Sequence, residues 1–140
     1  MHPLLGTWKL KSYVVTAGAG DTSMPYGAHP TGYLSYSADG RMQAIGTSSE
    51  RIAPGEAPTD ADQAGLYQTM FAYAGTWSVE AGKVTHHVDV SWNEAWTGTD
   101  QVRAYDIEGD MLTITTRVVD PANGAESVYV VTWEKLAGPR

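Results

Sequence analysis

Short segments in which apolar and polar residues alternate cover most of this chain, and turns separate them. A period of two places alternate side chains on opposite faces of a β-strand, whereas a helix repeats about every 3.6 residues. In the first segment, 6–15, one face carries Trp8, Leu10, Ser12 and Val14. The other face carries Lys9, Lys11 and Tyr13. The pattern predicts an all-β protein.

Seven further segments follow the same pattern: 31–37, 41–47, 75–80, 83–92, 101–107, 111–119 and 127–136. Turns containing Gly, Asp, Asn or Pro join most of them, and a connection rich in Gly, Ala, Ser and Pro spans 17–30. About eight strands joined mostly by tight turns favour an antiparallel up-and-down β-barrel. We predict one such barrel as a single domain over residues 1–140.

Residues 59–74 interrupt this pattern with helical spacing. Thr59 is a suitable N-terminal cap, and Gly75 stands where a C-terminal cap belongs. Between them, three apolar residues recur at helical intervals: Leu66, Met70 and Tyr73. We therefore predict one helix at about 59–74 that packs across an opening of the barrel.

Composition excludes several classes of function. The 140 residues include no cysteine, so a disulfide scaffold, a Cys zinc site and thiol catalysis are excluded. The net charge of -7 would repel a phosphate backbone, and we expect no nucleic-acid partner. No segment approaches the ~20 apolar residues of a membrane span, and no secretory signal opens the chain. We expect a cytoplasmic protein without a membrane partner, and a homodimer is one assembly open to it.

Seven sequence blocks carry a resemblance to a known family: GTW at 6–8, PTGYLSY at 30–36, DGRM at 39–42, YAGTWSV at 73–79, VTHHVDVS at 84–91, WTGTDQVR at 96–103 and GDMLTI at 109–114. In this order and spacing they resemble the bacterial and fungal lipocalin-like domain family. The resemblance covers nearly the whole chain and implies a small, calycin-like β-barrel with a ligand cavity. It also implies a link to secondary metabolism, since some members have one, but no particular reaction. The chain departs from the family at Trp77, where Tyr is frequent, and at 93–95, where Pro is common.

His86 and His87 form the most conspicuous polar pair. Neighbours on a strand point to opposite faces, so the two cannot chelate one metal ion, and we expect no metal. His86 shares its face with Val84, Val88, Val90 and Trp92, which predicts that it points inward. Two interpretations remain: a hydrogen-bonded core imidazole, or a group that contacts the ligand. His87, Asp89 and Ser91 have the residue types of a hydrolase triad, but one strand displays them side by side, without relay geometry.

Arg103 and Tyr105 share a face with Gln101 and Ile107. A buried Arg needs a carboxylate or an anionic ligand, so Arg103 could anchor an enolate, a phenolate or a carboxylate. In the alternative, Arg103 closes one end of the barrel by stacking on Trp8, which resembles the Arg–Trp stack of lipocalins.

Aromatic residues are abundant, and Trp and Tyr greatly outnumber the single Phe. Their polar tips suit an oxygenated, partly aromatic ligand. We expect ligand contacts from Trp8, Tyr33, Tyr36, Met70, Tyr73, Trp77, Val88 and Trp96.

Two functions follow from these residues. The first is binding of a hydrophobic or aromatic, polyketide- or terpenoid-like molecule in the lumen of the barrel. The second is a cofactor-independent cyclase, isomerase, dehydratase or lyase that uses the same lumen. In that enzyme, His86 would be the acid or base, and Arg103 or Tyr105 would stabilise an oxyanion. No phosphate loop or dinucleotide fingerprint is present, and we expect no cofactor.

Overall fold

The computed structural model describes residues 2–18 and 20–138. Nine strands are present in this part of the chain: β1 (Gly6–Ala17), β2 (Asp21–Ser23), β3 (Thr31–Tyr36), β4 (Arg41–Thr47), β5 (Met70–Glu80), β6 (Lys83–Ser91), β7 (Asp100–Glu108), β8 (Met111–Val119) and β9 (Glu126–Lys135). One α-helix, α1 (Asp60–Gln68), precedes β5, and a 3₁₀ turn, Glu94–Trp96, precedes β7.

Eight of the strands close into an antiparallel barrel. From β3 to β9 each strand pairs with the next in sequence, and β1 joins the two ends by pairing with β3 and β9. The short β2 adds a hairpin arm to the far end of β1. The predicted all-β, eight-stranded antiparallel barrel with one helix is confirmed.

A β-bulge in β1 changes which face its second half presents inward. Leu10 pairs with Trp133 and Ser12 pairs with Thr132, so Lys11 is an extra residue without a partner in β9. One extra residue reverses the alternation beyond it. Tyr13 therefore packs against the core, and the prediction that it shares a face with Lys9 and Lys11 is wrong.

A second bulge lies between β5 and β6. Ala74 pairs with Val90 and Gly75 pairs with Val88, which leaves Asp89 unpaired. Val90 consequently points outward and is 57% exposed, so it does not share the inward face of His86 as predicted. A Cβ on Gly75 would lie 1.9 Å from the carbonyl oxygen of His87, which explains glycine at this bulge. Gly75 is thus a site of close backbone approach and not a helix cap.

The helix is shorter than predicted. The Thr59 side chain accepts from the Asp62 N–H, and the Asp62 carboxylate accepts from the Thr59 N–H, so α1 begins with the expected capping box. The helix ends at Gln68 because the chain from Met70 onward pairs with β4, where Thr47 faces Met70. No residue of α1 is buried, and its main contacts are with β5 at the rim. Within the described residues, no helix has the length and apolar character needed to cross a membrane.

The core fills the end of the barrel where β1 begins. Trp8 is 1% exposed, and its indole N–H donates to the carbonyl oxygen of Leu4 at 2.9 Å. The Lys135 ammonium lies 4.7 Å from the centre of the Trp8 ring. Trp8 thus sits at the closed base of the barrel. The cation on its face is Lys135, which corrects the Arg103–Trp8 stack.

Candidate functional site

The lumen contains a cavity of about 260 Å³ toward the end of the barrel opposite Trp8. Side chains from seven strands and from the 3₁₀ turn line it: Tyr13, Leu34, Phe71, His86, Trp96, Gln101, Arg103, Ile114, Thr116, Val118, Tyr129, Val131 and Trp133. Most of them are apolar or aromatic, and a few carry polar groups, which is the composition of a small-molecule site.

A larger depression, of about 510 Å³, lies on the outer face of β3 to β6. Tyr33, Ile45 and Val90 contribute exposed apolar surface to it. Tyr33 lies here and not in the lumen because it alternates with the buried Leu34 and Tyr36. No charged side chain lines this outer groove, and the ionisable groups described below converge on the lumen. We therefore take the lumen as the candidate site.

His86 is held between two tyrosine hydroxyls. A hydrogen bond of 2.6 Å joins its Nε2 to the Tyr36 hydroxyl, and another of 2.9 Å joins its Nδ1 to the Tyr73 hydroxyl. A neutral imidazole has one N–H donor and one bare nitrogen acceptor. One tyrosine therefore donates to the ring, and the other accepts from it and keeps its own O–H for a further partner. The imidazole is 2% exposed and fully satisfied.

Burial sets the ionisation of these three groups. Desolvation, with smaller contributions from the charges of Arg103 and His87, lowers the pKa of His86 to about 3. Burial raises the pKa of Tyr73 to about 12, although the positive charge of Arg103 opposes the shift. Burial also raises the pKa of Tyr36 well above its usual value. Near neutral pH, the Tyr36–His86–Tyr73 chain is therefore uncharged.

Arg103 is the one Lys, Arg, Asp or Glu side chain among the residues that line the described cavity. Its Nη2 donates to the Gln101 Oε1 at 2.9 Å, and its Nη1 donates to the Val102 carbonyl at 3.3 Å. The guanidinium carbon lies 5.9 Å from the centre of the Trp96 ring. The contacts between carboxylates and basic side chains in residues 2–18 and 20–138 are Arg41–Asp89, His87–Asp100 and Arg117–Glu126. None of them provides a carboxylate for Arg103.

A short chain of hydrogen bonds orients Gln101 toward Arg103. The Gln101 Nε2 donates to the Thr99 hydroxyl at 2.7 Å, and that hydroxyl donates to the Trp96 carbonyl at 2.6 Å. The amide oxygen of Gln101 is thereby left to accept from the guanidinium. The loop from Trp96 to Thr99 thus positions both the ring and the polar neighbour of Arg103.

Three of the residues predicted from the sequence line the cavity, namely His86, Arg103 and Trp96. Tyr36 and Tyr73 do not line the cavity but hydrogen-bond to His86 in its wall, and Tyr73 also lines the outer groove. Tyr105 points into the barrel nearer the base, with its ring 6.4 Å from that of His2, and it does not line the cavity.

The other predicted ligand contacts lie away from the cavity. Trp77 packs on Tyr36 and donates its indole N–H to the Ser37 carbonyl at 3.1 Å. Val88 is buried without lining the cavity, and Trp8 forms the base. Met70 is half-buried at the first position of β5, where it pairs with Thr47 at the rim.

Sequence reasoning missed several lining residues: Tyr13, Gln101, Thr116, Tyr129 and Trp133. The alternation of β7 placed Gln101 beside Arg103, which was a usable signal. Tyr13 gave no such signal because the bulge at Lys11 reverses its face.

A second polar chain lies on the outer surface. The Ser78 hydroxyl is 3.0 Å from the His87 Nε2, and the His87 Nδ1 is 2.8 Å from the Asp100 carboxylate. These partners differ from the Asp89 and Ser91 considered from the sequence, since Asp89 pairs with Arg41. The His87 and Asp100 side chains are 41% and 64% exposed, so water screens their interaction and we assign no site to them. Among residues 2–18 and 20–138, no group of three His, Asp or Glu side chains could hold a metal ion.

Comparison with known proteins identifies the fold family. The model of the lipocalin-like domain matches residues 5–136, a range that includes every strand of the barrel. The chain belongs to the lipocalin-like domain family. The resemblance seen in the sequence blocks is thereby confirmed.

The lipocalin-like barrel also resembles two individual proteins. It is 31% identical over 86 residues to the 4'-hydroxy-3'-methoxypropiophenone carrier protein ppsC of Aspergillus oryzae, covering 56% of this chain and 78% of that protein. A solved structure of an uncharacterized protein from Bacteroides eggerthii aligns with a TM-score of 0.42 and 9% identity, covering 91% of this chain and 98% of that one. A likeness at that level supports no inference about this chain.

Proposed function

We propose that this barrel binds a single-ring, oxygenated aromatic molecule in its lumen and carries it without transforming it. The observation that carries the proposal is the cavity of about 260 Å³, whose wall combines aromatic rings with a few polar groups. This volume lies just below the roughly 300–1,000 Å³ of typical ligand pockets, which favours one ring over a fused polycyclic system.

The named relative supports this chemistry. The ligand in its name, a hydroxy- and methoxy-substituted aromatic ketone, has one ring and three oxygen-bearing substituents. A ring of that kind could stack on Trp96 or Tyr129, and its oxygens could accept from Arg103. We extend the carrier role to this chain as part of the proposal.

The state of His86 favours carrying over catalysis. Both of its ring nitrogens are already hydrogen-bonded, and burial lowers its pKa to about 3. A general base works best when its pKa is near the operating pH, so a histidine with this pKa takes up a proton poorly at neutral pH. His86 is better suited to holding the Tyr36 and Tyr73 hydroxyls in place.

Titration with 4'-hydroxy-3'-methoxypropiophenone tests the proposal. Quenching of tryptophan fluorescence should report binding, since Trp96 and Trp133 line the cavity, and chromatography should recover the ketone unchanged. Thr116→Phe places a ring in the cavity and should weaken binding at least about tenfold, because even small volume changes are felt in a packed interior. Val102→Phe is the matched control, since Val102 is 50% exposed on the outer face of neighbouring β7. Equal weakening by both variants, or no binding to the wild type, would contradict lumenal carriage.

The Tyr36–His86–Tyr73 chain favours a second candidate, in which hydroxyls on both sides of an imidazole at the cavity wall relay a proton. The protein would then be a cofactor-independent cyclase, isomerase, dehydratase or lyase acting on a polyketide- or terpenoid-like substrate. His86→Gln keeps hydrogen bonds but cannot shuttle a proton near neutral pH, so turnover should fall by ~10²–10⁴-fold with affinity nearly intact. Product formation by the wild type alone would support this candidate over carriage.

A further inference from the structure

The lumen presents hydrogen-bond donors that its own acceptors do not satisfy. Arg103 has five N–H donors, and the described residues accept from two of its nitrogens, through Gln101 and the Val102 carbonyl. The indole N–H of Trp133, a residue that lines the cavity and is 4% exposed, has no partner among the described residues. The unpaired indole N–H is buried and therefore costly, whereas Arg103 is half-buried; a ligand that supplies acceptors would remove that cost and could also accept from the guanidinium.

The charges around Arg103 also favour a ligand that supplies acceptors. The titratable groups that face Arg103 across the lumen are Tyr13 on β1, His86 on β6 and Tyr129 on β9. Behind His86 lie Tyr36 on β3 and Tyr73 on β5. None of these is a carboxylate, so the described part of the chain offers the guanidinium no internal counter-ion. Arg103 is half-buried, so water screens its charge less than that of a fully exposed Arg, and it attracts an anion more strongly than it would in bulk water.

The field of Arg103 already acts on the neutral groups of the lumen. Its positive charge opposes the burial-driven rise in the pKa of Tyr13, Tyr36 and Tyr73, and it contributes to the lowered pKa of His86. An acidic group on a ligand in the same cavity would experience the same field. Its ionised form would be stabilised relative to its neutral form.

Resting on the proposed binding function, we propose that the lumen takes its aromatic ligand as a monoanion, with a phenolate or carboxylate oxygen on the Arg103 guanidinium. The ring lies against Trp96, which already stacks on Arg103, and Gln101 is a positioning residue that aims the guanidinium. The ligand class is therefore an acidic phenol or an aromatic carboxylic acid. Neutral ethers and hydrocarbons of the same size are bound more weakly.

A chromogenic pair tests the charge preference without any mutation. 4-Nitrophenol absorbs in the visible only as its anion, and 4-nitroanisole is the methyl ether, which cannot ionise. With excess protein, the pKa of bound 4-nitrophenol should fall by at least about one unit, equivalent to tenfold tighter binding of the anion than of the neutral form. 4-Nitroanisole should bind at least about tenfold more weakly than 4-nitrophenol at a pH where the phenol is ionised. Equal affinities with no change in the phenol's pKa would overturn the inference, as would failure of 4-nitrophenol to bind a protein that does bind the aromatic ketone.

Variants assign the effect to Arg103. Arg103→Met should abolish the shift in the pKa of bound 4-nitrophenol, since the apolar stem is retained and the charge is removed. Arg103→Lys should keep part of the shift. Arg117→Met is the matched control, because it removes an Arg whose side chain is 64% exposed on adjacent β8. A shift that survives in Arg103→Met, or one that Arg117→Met also abolishes, would overturn the assignment. If neither nitro compound nor the aromatic ketone binds, the carrier function itself is wrong.

Discussion

Acidification is expected to destabilise this protein through His86. Burial lowers the folded-state pKa of His86 from its ordinary value of 6.5 to about 3. In the unfolded chain, the imidazole is solvated and regains the ordinary value. Between the two values, the unfolded chain binds a proton that the folded chain does not bind, so the free energy of unfolding decreases as the pH falls. The contribution of His86 is fully present above pH ~6.5 and is lost progressively toward pH ~3.

The size of this pH dependence follows from the uptake of one proton on unfolding. Below pH ~6.5, the free energy of unfolding should fall by ~1.4 kcal/mol for each pH unit, because one proton is taken up on unfolding. Between pH 7 and pH 5, the total is about 2 kcal/mol, since the first half unit lies above the ordinary pKa of histidine. His86→Gln removes the titrating group, so the unfolding free energy of the variant should lack this pH-dependent decrease.

Urea unfolding followed by tryptophan fluorescence at pH 7, 6 and 5 measures the difference in unfolding free energy between the wild type and His86→Gln. The carboxylates are common to wild type and variant, and their contribution cancels in the comparison. His87→Gln is the matched control on the same strand, where the side chain is 41% exposed. If the difference in unfolding free energy between wild type and His86→Gln stays constant from pH 7 to pH 5, the claim that His86 is held neutral is refuted.

Three further changes have defined outcomes. Trp8→Ala should cost ~3–5 kcal/mol of unfolding free energy, the usual cost of removing a core Trp, and an unchanged denaturation midpoint would argue against its place at the base. Gly75→Ala should cost at least ~1–3 kcal/mol because its Cβ would meet the His87 carbonyl, whereas Gly65→Ala on exposed α1 should be neutral or stabilising by up to ~1 kcal/mol. Both are read from denaturation curves, and equal effects would contradict the bulge geometry. Amide exchange in α1 should be unaffected by a lumenal ligand, since its residues do not line the cavity, while exchange in β7 and β8 slows. Slowing confined to α1 would instead support the predicted packing of the helix across an opening of the barrel.

Where a strand has no bulge, the sequence predicted which residues point inward. In β7, Gln101, Arg103, Tyr105 and Ile107 are half-buried, and the residues between them are exposed. Alternation is reliable there because one extended conformation repeats along the whole strand.

The two bulges mark the limit of that reasoning. Lys11 and Asp89 are ordinary residues for an exposed strand position, and nothing in their chemistry indicates that either one is the extra residue of a bulge. Each one shifts the register by one position and reverses every face beyond it. For this reason alone, Tyr13 points into the lumen and Val90 points outward, each opposite to the prediction.

The end of α1 could not be read from spacing either. Leu66, Met70 and Tyr73 fit a helical repeat, but Phe71, Tyr73 and Trp77 equally fit the alternation of a strand. Pairing with β4 decided between them, because Thr47 faces Met70 and Gly46 faces Phe71 in a continuous ladder. Such long-range pairing overrides local preference and has no local signature.

Net charge bears on an extended polyanionic partner and says little about a small ligand in the lumen. A charge of -7 acts over the whole surface, where salt screens it within about 8–10 Å, and it opposes an extended phosphate polymer. A small ligand in the lumen is affected mainly by the charge nearest to it, because Coulomb energies rise steeply as the dielectric constant falls. That charge is Arg103, and its surroundings are rings and neutral hydroxyls. An acidic protein can therefore carry a cation in its lumen, and the two charges act on different partners: we expect the surface charge to repel polyanions, and the proposed site at Arg103 to favour a small aromatic anion.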